Sequence, residues 1–280
     1  SVRAAFDAYM EDRLAVGANW DVWVMKNEAV RAAMARLLGA KADEIAVTAS
    51  ASAGINALAS ALDFSGARSK VVVSDFEFPT SAQIWHAQEM RGARIVHVPR
   101  ASDGYIPLEN FAALIDEETQ LVAVTHVCFR NGAKLDIAGI TRLAHSRGAK
   151  MLVDCYQAVG AVSIDVKTLD VDFAVGGMLK YLLGTAGIGF LYVREELIRS
   201  LVPTHSGWFA QEDIAAMDIS ANRPSPTARR FEAGTPPVAN CYAAEAGLKF
   251  ILEVGTDAIE ARVRQLTRRC MERLEGIGWG

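Results

Sequence analysis

Short β-branched runs alternate with amphipathic stretches along most of the chain. Residues 45–48, 70–74, 93–98, 121–127, 150–154, 172–175 and 189–193 read as strands. Several are nearly continuous apolar runs, the pattern of a sheet covered on both faces. Between them lie helical patterns at 27–38, 53–62 and 137–147. The second carries Ile55, Leu58, Ala59 and Leu62 on one face, and Gly148 stands as the C-terminal stop of the third. This alternation predicts an α/β fold with a doubly wound, mostly parallel central sheet flanked by helices. Two further helical patterns follow at 243–254 and 256–274. The second is rich in Arg and Glu and ends near a Gly-Ile-Gly turn.

Composition narrows the class. Of 280 residues, 51% are hydrophobic and 22% charged, which favours a sizeable core over disorder. The net charge of −4 gives no reason to expect nucleic acid or an anionic membrane surface as partner. The apolar runs are far shorter than a bilayer span, and the first residues lack the pattern of a signal peptide. Four cysteines, at 128, 155, 241 and 270, form no C-x-x-C. Five histidines form no H-x-x-x-H pair. No metal site is therefore expected, and scattered thiols fit a cytoplasmic protein.

Three segments could carry chemistry. Ligands of open parallel sheets bind beyond the carboxyl ends of the strands, so polar residues there matter most. Asp154 ends the run Met151-Leu152-Val153, where a buried acid needs a partner. It reads either as a capping or salt-bridged residue or as a carboxylate held for a cationic ligand. Lys180 is one of eight lysines and is flanked by Met178, Leu179, Tyr181, Leu182 and Leu183. An apolar pocket would depress its pKa and free its amine for Schiff-base chemistry. A snorkelling surface lysine is the other reading. Residues 50–54 join a strand to a helix start, where small residues and the helix dipole suit an anion, although Ser52 as an ordinary N-cap explains them too. Together the three describe a pyridoxal phosphate site: phosphate on the helix start, the pyridine nitrogen on Asp154, and the covalent link on Lys180.

With these residues in view, the chain resembles the fold-type I pyridoxal phosphate enzymes, and within them the class V aminotransferase family, which includes cysteine desulfurases and the related kynureninases. The resemblance runs from about residue 27 to 274. Its motifs are Thr48-Ala-Ser-Ala-Ser-Ala-Gly-Ile-Asn56, Glu77-Phe-Pro-Thr80, Thr125-His-Val-Cys-Phe-Arg-Asn-Gly132, Leu152-Val-Asp-Cys-Tyr-Gln-Ala-Val-Gly160, Asp172-Phe-Ala-Val-Gly-Gly-Met-Leu-Lys-Tyr181 and Arg230-Phe-Glu-Ala-Gly-Thr-Pro236. It implies Lys180 as the Schiff-base lysine, Asp154 on the pyridinium nitrogen and Gln157 on the ring hydroxyl. Phe78 would cover the ring face, while the Ala51 amide and Ser52 would hold the phosphate. His126 would be a further catalytic residue or a satisfied neighbour of the site. Trp208, in a segment reminiscent of kynureninases, would border the phosphate or fill an interface. Gly234 and Thr235 match a segment that reaches the phosphate of a neighbouring subunit, which implies a homodimer with its site at the subunit interface. Arg130 would meet a substrate carboxylate or, by preference, brace its loop.

The implied division is a pyridoxal phosphate-binding large domain at 1–255. Residues 256–280 would form a linking helix and the start of a truncated small domain, so the C-terminal small domain is expected to be largely missing. The N-terminal segment is expected to be shortened. Leu179 departs from the family, in which desulfurases place His and kynureninases Tyr before the lysine. None of the four cysteines matches the position of a desulfurase nucleophile. The function expected is an enzyme acting on an amino acid, an aminotransferase first. A desulfurase-like lyase or kynureninase-like hydrolase is the alternative. A nicotinamide oxidoreductase would need G-x-G-x-x-G between strand and helix, whereas Gly184-Thr-Ala-Gly-Ile-Gly189 precedes a strand. An inactive fragment of the same fold is the remaining reading.

Overall fold

The computed structural model describes residues 1–278. Its strands are β1 (Ile45–Thr48), β2 (Lys70–Ser74), β3 (Arg94–Val98), β4 (Thr119–Thr125), β5 (Lys150–Asp154), β6 (Phe173–Gly177) and β7 (Gly189–Val193). They form one sheet in the order β1-β7-β6-β5-β4-β2-β3. Neighbours from β3 through β6 pair in parallel, and β7 runs antiparallel to both β6 and β1. Six strands thus point one way, and their carboxyl ends share one edge.

The helices are α1 (Val2–Val16), α2 (Trp20–Leu38), α3 (Ala51–Ser60), α4 (Pro79–Ala87), α5 (Leu108–Ala112), α6 (Ile137–Ser146), α7 (Glu195–Ile198), α8 (Val238–Val254) and α9 (Thr256–Glu275). Alternate strand residues feed two separate cores, as the pleat requires. Val72, Val122 and Val153 join Met34, Leu38, Ile140 and Leu248 on one side. Val71, Leu121 and Leu152 join Ile55, Leu58 and Trp85 on the other. That double coverage is why the strand sequences look almost continuously apolar.

Several helix boundaries differ from the sequence pattern. Helix α2 starts at Trp20 rather than 27, because the Asn19 side chain accepts from the Val22 amide and caps it there. Helix α3 starts at Ala51. Its N-cap is Ser50, whose Oγ accepts from the Ala53 amide at 3.0 Å, not Ser52. Helix α4 follows Pro79 at its first position, where a missing N–H costs nothing. Helix α1 has no buried residue and gave no strong amphipathic signal. The segment expected at 256–280 is helix α9 over most of its length, and its last two residues lie outside those described. No helix among the described residues is long and apolar enough to cross a membrane.

Candidate active site

The strand ends converge on a pocket of about 380 Å³, within the size range of small-molecule sites. Ser50, Ala51 and Ser52 enter from the β1–α3 junction, Thr125 from the end of β4, Asp154 from the end of β5 and Lys180 from beyond β6. Phe78, Phe129, Tyr156 and Ile188 supply apolar walls, and Gln157 is also in the lining. Seven of the residues singled out from sequence thereby meet in one place: Ala51, Ser52, Phe78, Asp154, Gln157, Lys180 and, through its loop, Leu179.

Asp154 is 8% exposed. Its Oδ1 accepts from the Tyr156 amide at 2.9 Å. Burial pushes its carboxyl up to about 6, while the Tyr156 amide and the Lys180 charge favour the ionised form. The Lys180 Nζ lies 4.7 Å from the centre of the Tyr156 ring and 6.0 Å from that of Phe78. The sequence suggested an apolar sleeve made by the lysine's own neighbours. Instead Leu179, Tyr181 and Leu183 are exposed, and aromatic faces from two other loops line the amine. Lys180 itself is half-buried.

Local packing makes room for this arrangement. A Cβ on Gly177 would sit 2.3–2.5 Å from the Tyr156 ring, and one on Gly189 would sit 2.9 Å from the Ala51 nitrogen. The first glycine lets Tyr156 lie against β6 under the lysine. The second lets β7 press against the start of α3. With Ser50 Oγ occupied by the Ala53 amide, the amides of Ala51 and Ser52 stand in the first turn without intrahelical acceptors, in residues that line the pocket.

A second buried acid, absent from the sequence-based candidates, lies close by. Glu77 Oε1 accepts from Ser74 Oγ at 2.6 Å and from the Thr125 amide at 2.8 Å. Its Oε2 is buried without a partner. Burial drives the carboxyl up to about 8, and the Asp154 charge adds to the rise. The two acids are thus split, with Asp154 the readier to ionise. Tyr156 and Phe129 were also missed as site residues. Both had a signal: Tyr156 stands between Asp154 and Gln157 in one motif, and Phe129 falls inside the motif Thr125–Gly132.

Other candidates lie elsewhere. His126 does not line the pocket. It is 4% exposed and faces a separate hollow with Tyr105, Lys134 and Asp136. Its Nδ1 has no hydrogen-bond partner, and burial together with the Lys134 charge pushes its pKa down to about 4. Its link to the site is structural: its amide donates to the Asp154 carbonyl at 2.9 Å. Trp208 is also outside the pocket lining. Its Nε1 donates to the Ile214 carbonyl at 2.6 Å, and its ring packs edge-on against Trp20 and Phe209. Gly234 and Thr235 are exposed and outside the pocket. Arg130 donates to the Asp75 carbonyl, the bracing role. Cys128, Cys155 and Cys241 are buried, and no cysteine among the described residues lines the pocket.

The motif around Gly234 is partly a fastening. Arg230 donates to the carbonyls of Ser225, Ile198 and Leu201. Glu232 Oε1 accepts from Arg31 at 2.6 Å and from the Val47 amide at 2.9 Å, all buried. The Gly184–Gly189 run leads into β7 rather than from a strand into a helix, which removes the context a dinucleotide fingerprint requires.

Comparison with known proteins places this geometry among relatives. A family model described as Aminotransferase class-V matches residues 23–278. An uncharacterized aminotransferase, YcbU, of Bacillus subtilis (strain 168) is 37% identical over 265 residues, covering 95% of this chain and 69% of the relative. A cysteine desulfurase of Salmonella newport (strain SL254) is 32% identical over 254 residues, covering 89% of this chain and 62% of the relative. The chain therefore spans about two thirds of the length of these curated relatives. Among solved structures, the apo cysteine desulfurase of Thermococcus onnurineus NA1 superposes with a TM-score of 0.87 at 28% identity, over 99% of this chain and 70% of that one.

Proposed function

Because the chain belongs to the class V aminotransferase family, and is accordingly a pyridoxal phosphate-dependent enzyme, we propose that the pocket at the strand ends is its active site and that it transfers the amino group of an amino acid to a 2-oxo acid. One observation carries the reading. Asp154 and Lys180 stand 26 positions apart in the chain, yet both line the same pocket, close enough for the Lys180 charge to act on the Asp154 carboxyl.

The residues present fit the cofactor. The Ala51 and Ser52 amides, with the Ser52 hydroxyl, would hold the phosphate at the start of α3. The buried Asp154 would pair with the ring nitrogen, Gln157 would meet the ring hydroxyl, and Phe78 would lie over a ring face. Lys180 Nζ would make the covalent attachment. Bound pyridoxal phosphate supplies an electron sink that acidifies the Cα proton of an attached amino acid. The Lys180 amine would take and return that Cα proton. Of the two buried acids Asp154, raised to about 6, is the readier to carry the charge that a protonated ring nitrogen would pair with, and Glu77, raised to about 8, the readier to keep its proton. Phe78 and Phe129, 5.1 Å apart edge to face, give the pocket an aromatic wall that is partly open to solvent.

Lys180→Ala is expected to abolish borohydride-sensitive visible absorbance in the purified protein and to lower turnover by about 10²–10⁴-fold, the range for a lost general acid–base. Unchanged absorbance in that variant would refute the assignment. A desulfurase-type lyase is the second reading, favoured by the likeness to cysteine desulfurases. A panel of amino acids with 2-oxo acid acceptors separates the two. Amino-group transfer to the 2-oxo acid supports transamination, and alanine formed from cysteine with no 2-oxo acid present, but with a thiol added to take the sulfur, supports the lyase. Exposure of Gly234 and Thr235 away from their own pocket supports a homodimer in which they serve the partner's site.

A further inference from the structure

We propose that His86 and His97 form a surface chelate for one divalent transition-metal ion of the zinc, nickel or copper type, outside the Lys180 pocket and independent of the function proposed above. His86 lies on α4 and His97 on β3, the edge strand of the sheet. Their Nε2 atoms are 3.1 Å apart, with ring centres 5.3 Å apart and ring planes within 20°. The imidazoles therefore meet head to head through their Nε2 atoms.

Each ring has a carboxylate behind it. Glu89 Oε1 is 3.1 Å from His86 Nδ1, and Asp75 Oδ1 is 3.6 Å from His97 Nδ1. Each carboxylate favours a proton on the outer nitrogen of its ring. Without a metal the two Nε2 atoms stand at hydrogen-bond distance, one donating to the other according to the tautomer. With a proton on each outer nitrogen, both Nε2 atoms are free to take a metal ion lying to one side of the line between them. Metal-bound histidines typically have this same support, donating the second ring N–H to a carboxylate.

The spacing suits a metal. Two bonds of about 2.0–2.1 Å at a tetrahedral angle hold their nitrogens about 3.4 Å apart, and a square-planar pair of such bonds brings them to about 2.9 Å. The observed 3.1 Å lies between. Both side chains are about two-fifths exposed, so an ion can enter and water can complete its coordination. Among the described residues no group of three or more His, Cys, Asp or Glu forms a ready-made cage; this site offers two nitrogens and open positions. Sequence spacing gave no hint of it, because the ligands come from different elements. The ion would tie α4 to the sheet edge, and Thr80 and Ser81 at the start of α4 line the Lys180 pocket.

Equilibrium dialysis of the cofactor-loaded protein against micromolar Zn²⁺ tests the proposal. Wild type should bind one more zinc per chain than the H86N/H97N double variant, and each single variant should lose that equivalent. E89Q and D75N should weaken it by about 10–100-fold. Zinc at about one hundred times Kd should raise the thermal midpoint of wild type by roughly 5–10 °C, and not that of the double variant. The metal-free midpoints should agree, because both histidines are exposed. Equal zinc stoichiometry in wild type and double variant overturns the proposal, as does zinc binding without thermal protection. Either failure, with borohydride-sensitive absorbance intact, leaves the Lys180 assignment untouched.

Discussion

Three buried ionisable groups near the pocket set opposite limits on stability. Glu77, pushed from 4.5 up to about 8, keeps a proton in the folded chain that the unfolded chain has released. Its folded form therefore loses stability as pH rises from about 4.5 to 8. Asp154 acts in the same direction between 3.8 and about 6. His126 acts the other way. The unfolded chain takes up a proton below 6.5 that the folded chain refuses until about 4, so stability falls as pH drops through that window. In cofactor-free protein, Glu77→Gln should flatten the alkaline limb of stability, read by urea unfolding at pH 6 and pH 8.5. A limb as steep as in wild type would show that Glu77 is not its source. Gly177→Ala is expected to damage the pocket more than its single methyl suggests. The added carbon meets the Tyr156 ring at 2.3 Å, so the ring must leave its place beside Lys180. The expected signature is weaker cofactor retention on dialysis with the fold intact by circular dichroism.

At the scale of elements, helix starts position most of the polar chemistry. Ser50 caps α3 and leaves the next two amides turned to the pocket. Ser50→Ala should cost about 1 kcal/mol, as lost N-caps do, seen as a lower urea midpoint at unchanged slope; a midpoint equal to wild type would contradict the cap. All seven strands were legible in the sequence, because a sheet buried on both faces writes itself as short β-branched runs. Boundaries were less so. The start of α2 depends on whether Asn19 caps it, and that of α3 on which of two serines does, a choice among chemically similar neighbours. Helix α1 was missed because its inner face is only half-buried, with Tyr9 and Asp12 against Tyr242 of α8 and no residue fully buried, so its periodic signal is weak.

Across the whole molecule, one buried ion pair ties distant segments together. Arg31 on α2 donates to Glu232 and to the Ile45 carbonyl, while Glu232 also holds the Val47 amide. Glu232→Ala should destabilise the protein by about 3 kcal/mol, the low end for breaking a buried pair, since it leaves the buried Arg31 with only the exposed Glu28 as counter-charge. Calorimetry showing a loss below 1 kcal/mol would count against that role. In the sequence, Glu232 sat in a motif that pointed toward a phosphate; its place in the fold is that of a clamp. The same contrast runs through the site. Asp154, Gln157, Ser52 and Lys180 were readable because each ends or follows a strand, and parallel sheets bring strand ends together. Glu77, Phe129 and the separation of His126 from the pocket were not, because they depend on how loops from different strands pack side by side.

The amino-acid sequence by itself determined the α/β architecture, the polar residues that end the strands and the family of chemistry, because those follow from local periodicity and from residue types at strand termini. Tertiary packing alone decided which aromatic rings face the Lys180 amine, which acid ionises first and which histidines meet, since burial and distance between remote segments are properties of the assembled chain.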